Sequence, residues 1–423
     1  MRIRFINALI LTMEENRPLF NGEVHVEDNL ITYVGPSLEL DETFDRIINV
    51  EGNLLMPGFK NIHSHSPMTF LRSYADDLPL FEWLHNAVFP LENKIQPGDQ
   101  YVLSKIAFAE YLTSGITLCF DMYYSPLETA KAAVDSGFRA ALCGTVTKYK
   151  ESVEEMKAAY HTINKMSPLV SYHLGFHAEY TATPEILKEL AKAAHELKVP
   201  IWSHISETKR EVDECIEKYG VSPAVYIDNL GLYKYGGGGF HGVHFTDADF
   251  EVYKKRKLSI VTNPSANTKL ASGIAPIKRY LDEGINVGIG TDGPASNNAL
   301  DFFREMWLVT GLAKLRENDA SVVDAYAVLK MATVNGATAL NMLNARYLSE
   351  GSLADIIMLD LNQPNMQPIN NIEKNIVYAG SKSNVIMTMI NGKVLYENGE
   401  FFLDEPIEEI YRKGQEITER LKG

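Results

Sequence analysis

The sequence predicts an α/β fold, a (β/α)₈ TIM barrel with a small β-sandwich domain built from both chain ends. Three observations point to it. From residue 58 to about residue 345, short apolar runs alternate with longer stretches of helical spacing, as in parallel strands joined by crossover helices. Both chain ends have a different texture, of short alternating runs separated by turn signals. No G-x-G-x-x-G follows the first barrel run, so an open doubly wound sheet lacks its usual phosphate-binding turn.

Residues 1–57 form the N-terminal part of the sandwich, with turns at F-N-G and E-D-N. The apolar run L-L-M-P-G-F then leads into K-N-I-H-S-H-S-P-M, the first strand of a barrel spanning residues 58–345. G-I-T-L-C-F-D, R-A-A-L-C-G-T-V, L-V-S-Y-H-L-G-F, P-I-W-S-H-I, L-S-I-V-T-N and N-V-G-I-G read as further strands, and P-E-I-L-K-E-L-A-K-A-A-H-E-L has helical spacing. Residues 346–423 return to the sandwich: A-D-I-I-M-L-D-L, V-I-M-T-M-I and, after the turn N-G, K-V-L-Y. An amphipathic helix from about Glu405 to Leu421 follows. The chain has no fixed-period repeat, and its one low-complexity segment is Gly236 to Gly239.

Composition narrows the function. A net charge of -15 argues against nucleic acid or an anionic membrane as partner and favours a small-molecule substrate. Hydrophobic residues at 45% suit a soluble protein with a sizeable core, and no apolar stretch reaches the roughly 18 residues of a membrane span. Cys119, Cys143 and Cys215 form no C-x-x-C, which fits a reducing, cytoplasmic setting. The opening M-R-I-R-F-I-N mimics a secretory signal, but Asn7 interrupts the run and no small-residue cleavage site follows. Nothing in the sequence fixes the oligomeric state, and a homo-oligomer is compatible with it.

The polar groups that matter end the strand candidates. His63 and His65, two residues apart on a strand, leave one face about 6 to 7 Å apart along the chain, within reach of one ion. His204 ends P-I-W-S-H-I, and Glu207 follows in the turn, placed either as a helix N-terminal acid or as a proton shuttle. F-H-G-V-H-F offers His241 and His244, whose three-residue offset puts them on opposite faces of a strand; the pattern does not choose between them. Asp292 stands where a glycine-rich strand gives way to a turn. Three histidines and one aspartate match the donor set of a divalent transition metal with a position left for water.

Six motifs in order carry a resemblance over essentially the whole chain: P-G-F-K-N-I-H-S-H, F-E-W-L-H-N-A-V-F-P-L-E, H-I-S-E-T, H-G-V-H, N-P-S-A-N-T-K-L-A-S-G-I-A-P and G-T-D-G-P-A-S-N-N. The sequence resembles the amidohydrolase superfamily, in the cytosine-deaminase-like branch that includes the 5′-methylthioadenosine/S-adenosylhomocysteine deaminases. The resemblance implies one metal ion, zinc or iron, on His63, His65, His204 and Asp292. It implies that Glu207, His241 and Asp292 act catalytically, and it selects His241 over His244. It places Glu92 and His177 on the ribose hydroxyls of a nucleoside, Glu207 on its base, and Trp83 and Ser296 along the pocket.

Two departures stand out. Family members that accept S-adenosylhomocysteine are similar in clamping its carboxylate with arginines, yet no arginine occurs here between Arg139 and Arg210. Gly144 occupies one clamp position, and Lys148 and Lys150 offer only point charges nearby, so weak or absent carboxylate recognition is expected. The run G-G-G-G before Phe240 replaces the aliphatic residues of relatives. Rival readings are a deaminase or chlorohydrolase of guanine, cytosine, a pterin or a triazine, and a non-catalytic binding protein, whose mark would be a lost ligand or acid. A two-metal hydrolase lacks its bridging lysine in S-Y-H-L-G-F-H, and the cysteine spacing excludes the C-x-x-C zinc deaminases.

Overall fold

Apolar runs too short for helices and buried at most positions become the staves of a parallel sheet. In chain order they are Phe59–Ser64, Ile116–Met122, Ala140–Cys143, Val170–Gly175, Ile201–Ile205, Gly237–His241, Ser259–Thr262 and Asn286–Ile289, each hydrogen-bonded to the next. This computed structural model describes residues 1–41 and 43–423. Helices such as Asp99–Thr113, Pro184–Leu197 and Phe302–Glu317 surround the sheet, giving the near-closed barrel that the alternation predicts.

The seam between the first and last strands is closed largely by side chains. Asn61 donates through Nδ2 to Thr291 Oγ1 at 2.7 Å, and its Oδ1 accepts the Thr291 N–H at 2.9 Å. Asp292 N donates to His63 O at 3.0 Å, and Ser64 Oγ donates to Asp292 O at 3.0 Å. Asp292 is thereby pinned beside His63.

An aromatic plug fills the barrel. Phe120, Trp202 and Phe240 are fully buried, with ring centroids 5.2 to 5.8 Å apart. The glycine run makes room for it. A Cβ on Gly238 would stand 2.0 Å from the Ser259 carbonyl oxygen and 2.7 Å from the Trp202 ring, so the run is the sixth strand itself, flattened for an indole.

Both chain ends meet in a separate sheet. The order is Glu400–Phe401, Lys393–Glu397, Val385–Ile390, Ile356–Leu359, Leu54–Pro57, Arg2–Ile10, Phe20–Glu27 and Leu30–Gly35, with Arg46–Asn49 pairing with Arg2–Ile10. The expected sandwich thus takes the form of one mixed sheet with its own core, including Phe5, Val24, Leu55, Ile356 and Met387. Arg139 ties it to the barrel through a buried fork onto Asp355, at 2.7 and 3.0 Å. The last helix runs Ile407–Lys422, starting after Pro406 and slightly later than its sequence pattern suggests. Among the described residues no helix is long and apolar enough to cross a membrane.

Candidate metal centre and substrate cavity

His63 ends the first strand pointing inward, its ring stacked on Phe240 with centroids 3.8 Å apart. It is fully buried, and neither ring nitrogen has a hydrogen-bond partner. A buried imidazole with both nitrogens idle is costly unless something else binds there. His65 follows just past the strand end and turns Nδ1 onto the Met122 carbonyl at 2.5 Å. His204 aims Nδ1 at the His177 carbonyl, 2.7 Å away, and His241 aims Nδ1 at Asn267 Oδ1, 2.8 Å away. In each of these three rings a proton on Nδ1 leaves Nε2 free on the opposite side, the arrangement expected of metal-ligating histidines.

Those free edges converge. His63 and His65 bring Nε2 to 3.5 and 3.2 Å from Asp292 Oδ1. Ligand atoms of His63, His65 and Asp292 form one cluster within 4.8 Å, and those of His63, His204 and His241 form another. The clusters share His63, which brings the five groups next to one another. The orphaned nitrogens of His63 and the nitrogen-and-oxygen donor set fit a divalent transition metal. Of the four residues expected as ligands, His63, His65 and Asp292 share one cluster, and His204 lies in the other with His63 and His241. His244 lies elsewhere. The sixth strand ends at His241, whose φ is 76°, and His244 has left the strand to meet the Ser272 carbonyl at 2.6 Å, so the strand offset that set the two histidines on opposite faces does not apply.

Electrostatics follow the same layout. Burial opposes the charge on Asp292, but the imidazoles of His63 and His65 beside it hold its carboxyl well below the usual carboxylate range. Burial pulls the His65 imidazolium down, yet Asp292, the Met122 carbonyl and Asp121 outweigh it and hold the ring up at about 9. His63 lacks that support, and burial pushes it down to about 3 despite Asp292. Burial also lowers His177 to about 4 and raises the proton affinity of Glu207 and Glu92.

Beside the cluster opens a cavity walled by Trp83, Glu92, His177, Glu207, Ser296 and Asp292 among others. Every substrate-facing residue expected from sequence therefore borders one space. Trp83 and Glu92 arrive on three consecutive short helical segments, Leu80–Trp83, Leu84–Val88 and Phe89–Glu92, the middle one a π turn of the kind common at functional sites. Arg210 stacks on Phe81 of the first, 4.2 Å from its centroid. Glu92 accepts a hydrogen bond from Tyr123 at 2.6 Å, and Ser296 donates to Asp292 Oδ2 at 2.8 Å. Glu207 Oε1 accepts from Ser272 Oγ at 3.2 Å and lies 3.8 Å from His241 Nδ1.

Among the described residues none lining this cavity is lysine or arginine. An adjoining cavity shares Glu92 and Tyr124 with it and includes Lys150, whose ammonium lies 4.4 Å over the Tyr124 ring. A side chain at Gly144 would collide with Met156 Sδ at 2.7 Å.

Sequence reasoning missed the residues that orient the site, namely Asn61, Tyr123, Asn267, Ser272 and Glu211. Asn61, Asn267 and Ser272 lie inside motifs singled out above, but only their partners in space reveal what each side chain holds.

The sequence pattern of the amidohydrolase family matches residues 54–395. A 5-methylthioadenosine/S-adenosylhomocysteine deaminase of Thermoanaerobacter pseudethanolicus is 38% identical, over 95% of this chain and 95% of its own. One from Syntrophomonas wolfei is 38% identical over all of both chains. The crystal structure of a zinc-bound adenosine deaminase from Xanthomonas campestris superposes with a TM-score of 0.92, at 29% identity over 100% of this chain and 98% of that one.

Proposed function

The chain belongs to the amidohydrolase family, and from that premise we propose that it is a metal-dependent hydrolytic deaminase of adenosine-type nucleosides, releasing ammonia and the inosine analogue. The observation that carries this reading is the meeting of a histidine and aspartate donor cluster, a buried acid and Trp83, Glu92 and His177 around one cavity. Relatives named for 5-methylthioadenosine and S-adenosylhomocysteine, similar from end to end, support the same substrate class.

His63, His65, His204 and Asp292 would hold one divalent cation, zinc before iron. When bound, it supplies Lewis acidity that brings the pKa of water towards neutrality. His241 and Asp292 orient the attacking water and take its proton. Glu207, protonated more readily because it is buried, delivers a proton to the ring nitrogen beside the amino-bearing carbon, so attack there builds no stranded negative charge. The same carboxylate then carries a proton to the departing amine. Glu92 and His177 fix the ribose hydroxyls, while Trp83 and Ser296 complete the wall.

Among the described residues the wall has no lysine or arginine for a homocysteine carboxylate, and Lys150 stands one cavity away, so thioether nucleosides without a carboxylate are the better substrates. The test is the fall in adenine absorbance with 5′-methylthioadenosine, S-adenosylhomocysteine and adenosine, alongside ammonia release. Rapid turnover of 5′-methylthioadenosine with poor use of S-adenosylhomocysteine is expected. Strong preference for S-adenosylhomocysteine would sink the specificity argument, and no turnover of any adenosine would move the substrate to a free base, pterin or triazine.

A further inference from the structure

Glu207 leaves the barrel on a strained turn. Ser206, immediately before it, has φ 49°, a left-handed conformation unfavourable for a residue with a side chain. One face of the turn is fixed by Val243 N and His244 N, which donate to Ser206 O at 3.0 and 2.9 Å. The other face is held by a residue absent from the cavity wall. Glu211 sends its carboxylate back from the third position of the helix Lys209–Tyr219, and its two oxygens accept the N–H groups of Ser206 at 2.6 Å and Glu207 at 2.8 Å.

We infer that Glu211 is a positioning residue for Glu207, holding by its paired oxygens the turn that aims the acid at the substrate. The inference rests on the deaminase reading of Glu207.

In an ordinary capping box the third helical residue bonds the N–H of the cap itself. Here the cap is Thr208, whose hydroxyl already accepts the Glu211 N–H at 3.2 Å, and the Glu211 carboxylate reaches past it to the two residues before. Helix capping is thus served without this carboxylate. Keeping it is expensive: Glu211 is 2% exposed, among the described residues it forms no ion pair with a cation, and burial, with Glu179 and Glu207 close by, pushes its carboxyl up to about 8 against the pull of the Ser206 and Glu207 N–H groups. Two backbone N–H groups are its compensation, and both belong to the turn of Glu207. Toward the cavity, Glu207 has the Ser272 hydroxyl as a hydrogen-bond partner, so its backbone carries much of its alignment.

Glutamine at this position keeps one acceptor and turns an NH₂ group toward the second N–H. A displacement of the acid by a fraction of an ångström to 1 Å then lowers kcat by about 10- to 100-fold. The experiment measures kcat, KM and bound metal for metal-replete wild type, Glu211→Gln, Glu207→Gln and the double variant on 5′-methylthioadenosine, with Glu211→Asp as a shorter carboxylate. Expected are a loss in kcat exceeding any change in KM, wild-type metal content, and an intermediate kcat for Glu211→Asp. Because Glu211 acts through Glu207, adding Glu211→Gln to Glu207→Gln changes the residual rate by less than about two-fold. Fold-losses that multiply in the double variant, loss of metal, or wild-type kcat in either Glu211 variant overturns the inference. Should Glu211→Gln not fold, Glu211→Asp and its pairing with Glu207→Gln decide by the same criteria. Wild type that deaminates no adenosine removes the reading of the site and this inference with it, whereas an active wild type with unimpaired Glu211 variants removes this inference alone.

Discussion

Replacing Asn61 by alanine opens the barrel at its seam without touching a metal ligand. The amide makes two buried hydrogen bonds to Thr291, one from the Thr291 N–H and one to its hydroxyl, and both fall one residue short of Asp292. Each bond contributes roughly 1 kcal/mol net, and leaving the Thr291 N–H unpaired adds about 1 to 3 kcal/mol, so a loss of about 3 to 5 kcal/mol in stability is expected. Asp292 keeps its backbone bond to His63 O and its contact with Ser64, so the site persists but loosens. Outer partners of metal ligands typically affect affinity by about 10- to 100-fold, and a loss of that size is expected here. Urea unfolding of the metal-free protein reads the first quantity, and competition with a chelator of known affinity reads the second. A variant with wild-type stability and wild-type metal affinity would refute the idea that the seam positions Asp292. A variant that is unstable yet binds metal as wild type does would restrict Asn61 to closing the barrel.

Glu207→Gln is expected to retain wild-type metal content and to lose about 10²- to 10⁴-fold in kcat, read by adenine absorbance and metal analysis together; loss of the metal would reassign Glu207 as a ligand. Asn267→Ala frees His241 Nδ1 and the choice of tautomer, and a fall of about ten-fold or more in kcat with unchanged unfolding is expected. Lys60 gives the pH prediction. Burial lowers it to about 8, against the pull of Asp355, so between pH 8 and the ordinary lysine range the unfolded chain holds more protons and stability rises with pH. Keeping its ammonium charged below pH 8 costs about 3 kcal/mol, offset by bonds to Gly58 O and Thr117 Oγ1. Lys60→Met should therefore gain on wild type at pH 7 and lose that advantage by pH 10 in urea unfolding, and an advantage independent of pH would refute the assignment.

Strands and ligands were legible because each leaves a mark along the chain. An apolar run ending in histidine or aspartate, repeated at the C-terminal ends of barrel strands, identifies one rim before any fold is known. His63, His65, His204 and Asp292, singled out by that pattern, fall in two donor clusters that share His63. What the pattern does not carry is contact across the chain. His241 and His244 differ by where the sixth strand stops, a point decided by tertiary contacts at Gly242 and Ser206. Tyr123 and Asn267 matter through partners 31 and 26 residues away. The glycine run reads as a weak strand until Trp202 is seen filling the space beside Gly238.

These orienting residues also share a logic. The stretch from Asn263 to Ala275 contributes Asn267 to His241 and Ser272 to both Glu207 and His244, through its hydroxyl and its carbonyl. Glu211 fixes the backbone of Glu207 from the opposite side. His241 and Glu207 are thus held by one segment after the seventh strand and one helix after the fifth. Ser272→Ala removes the hydroxyl that reaches Glu207 but keeps the carbonyl that His244 meets, so it should disturb the acid while sparing His244 and also His63 and Asp292, which the Asn61 seam holds independently.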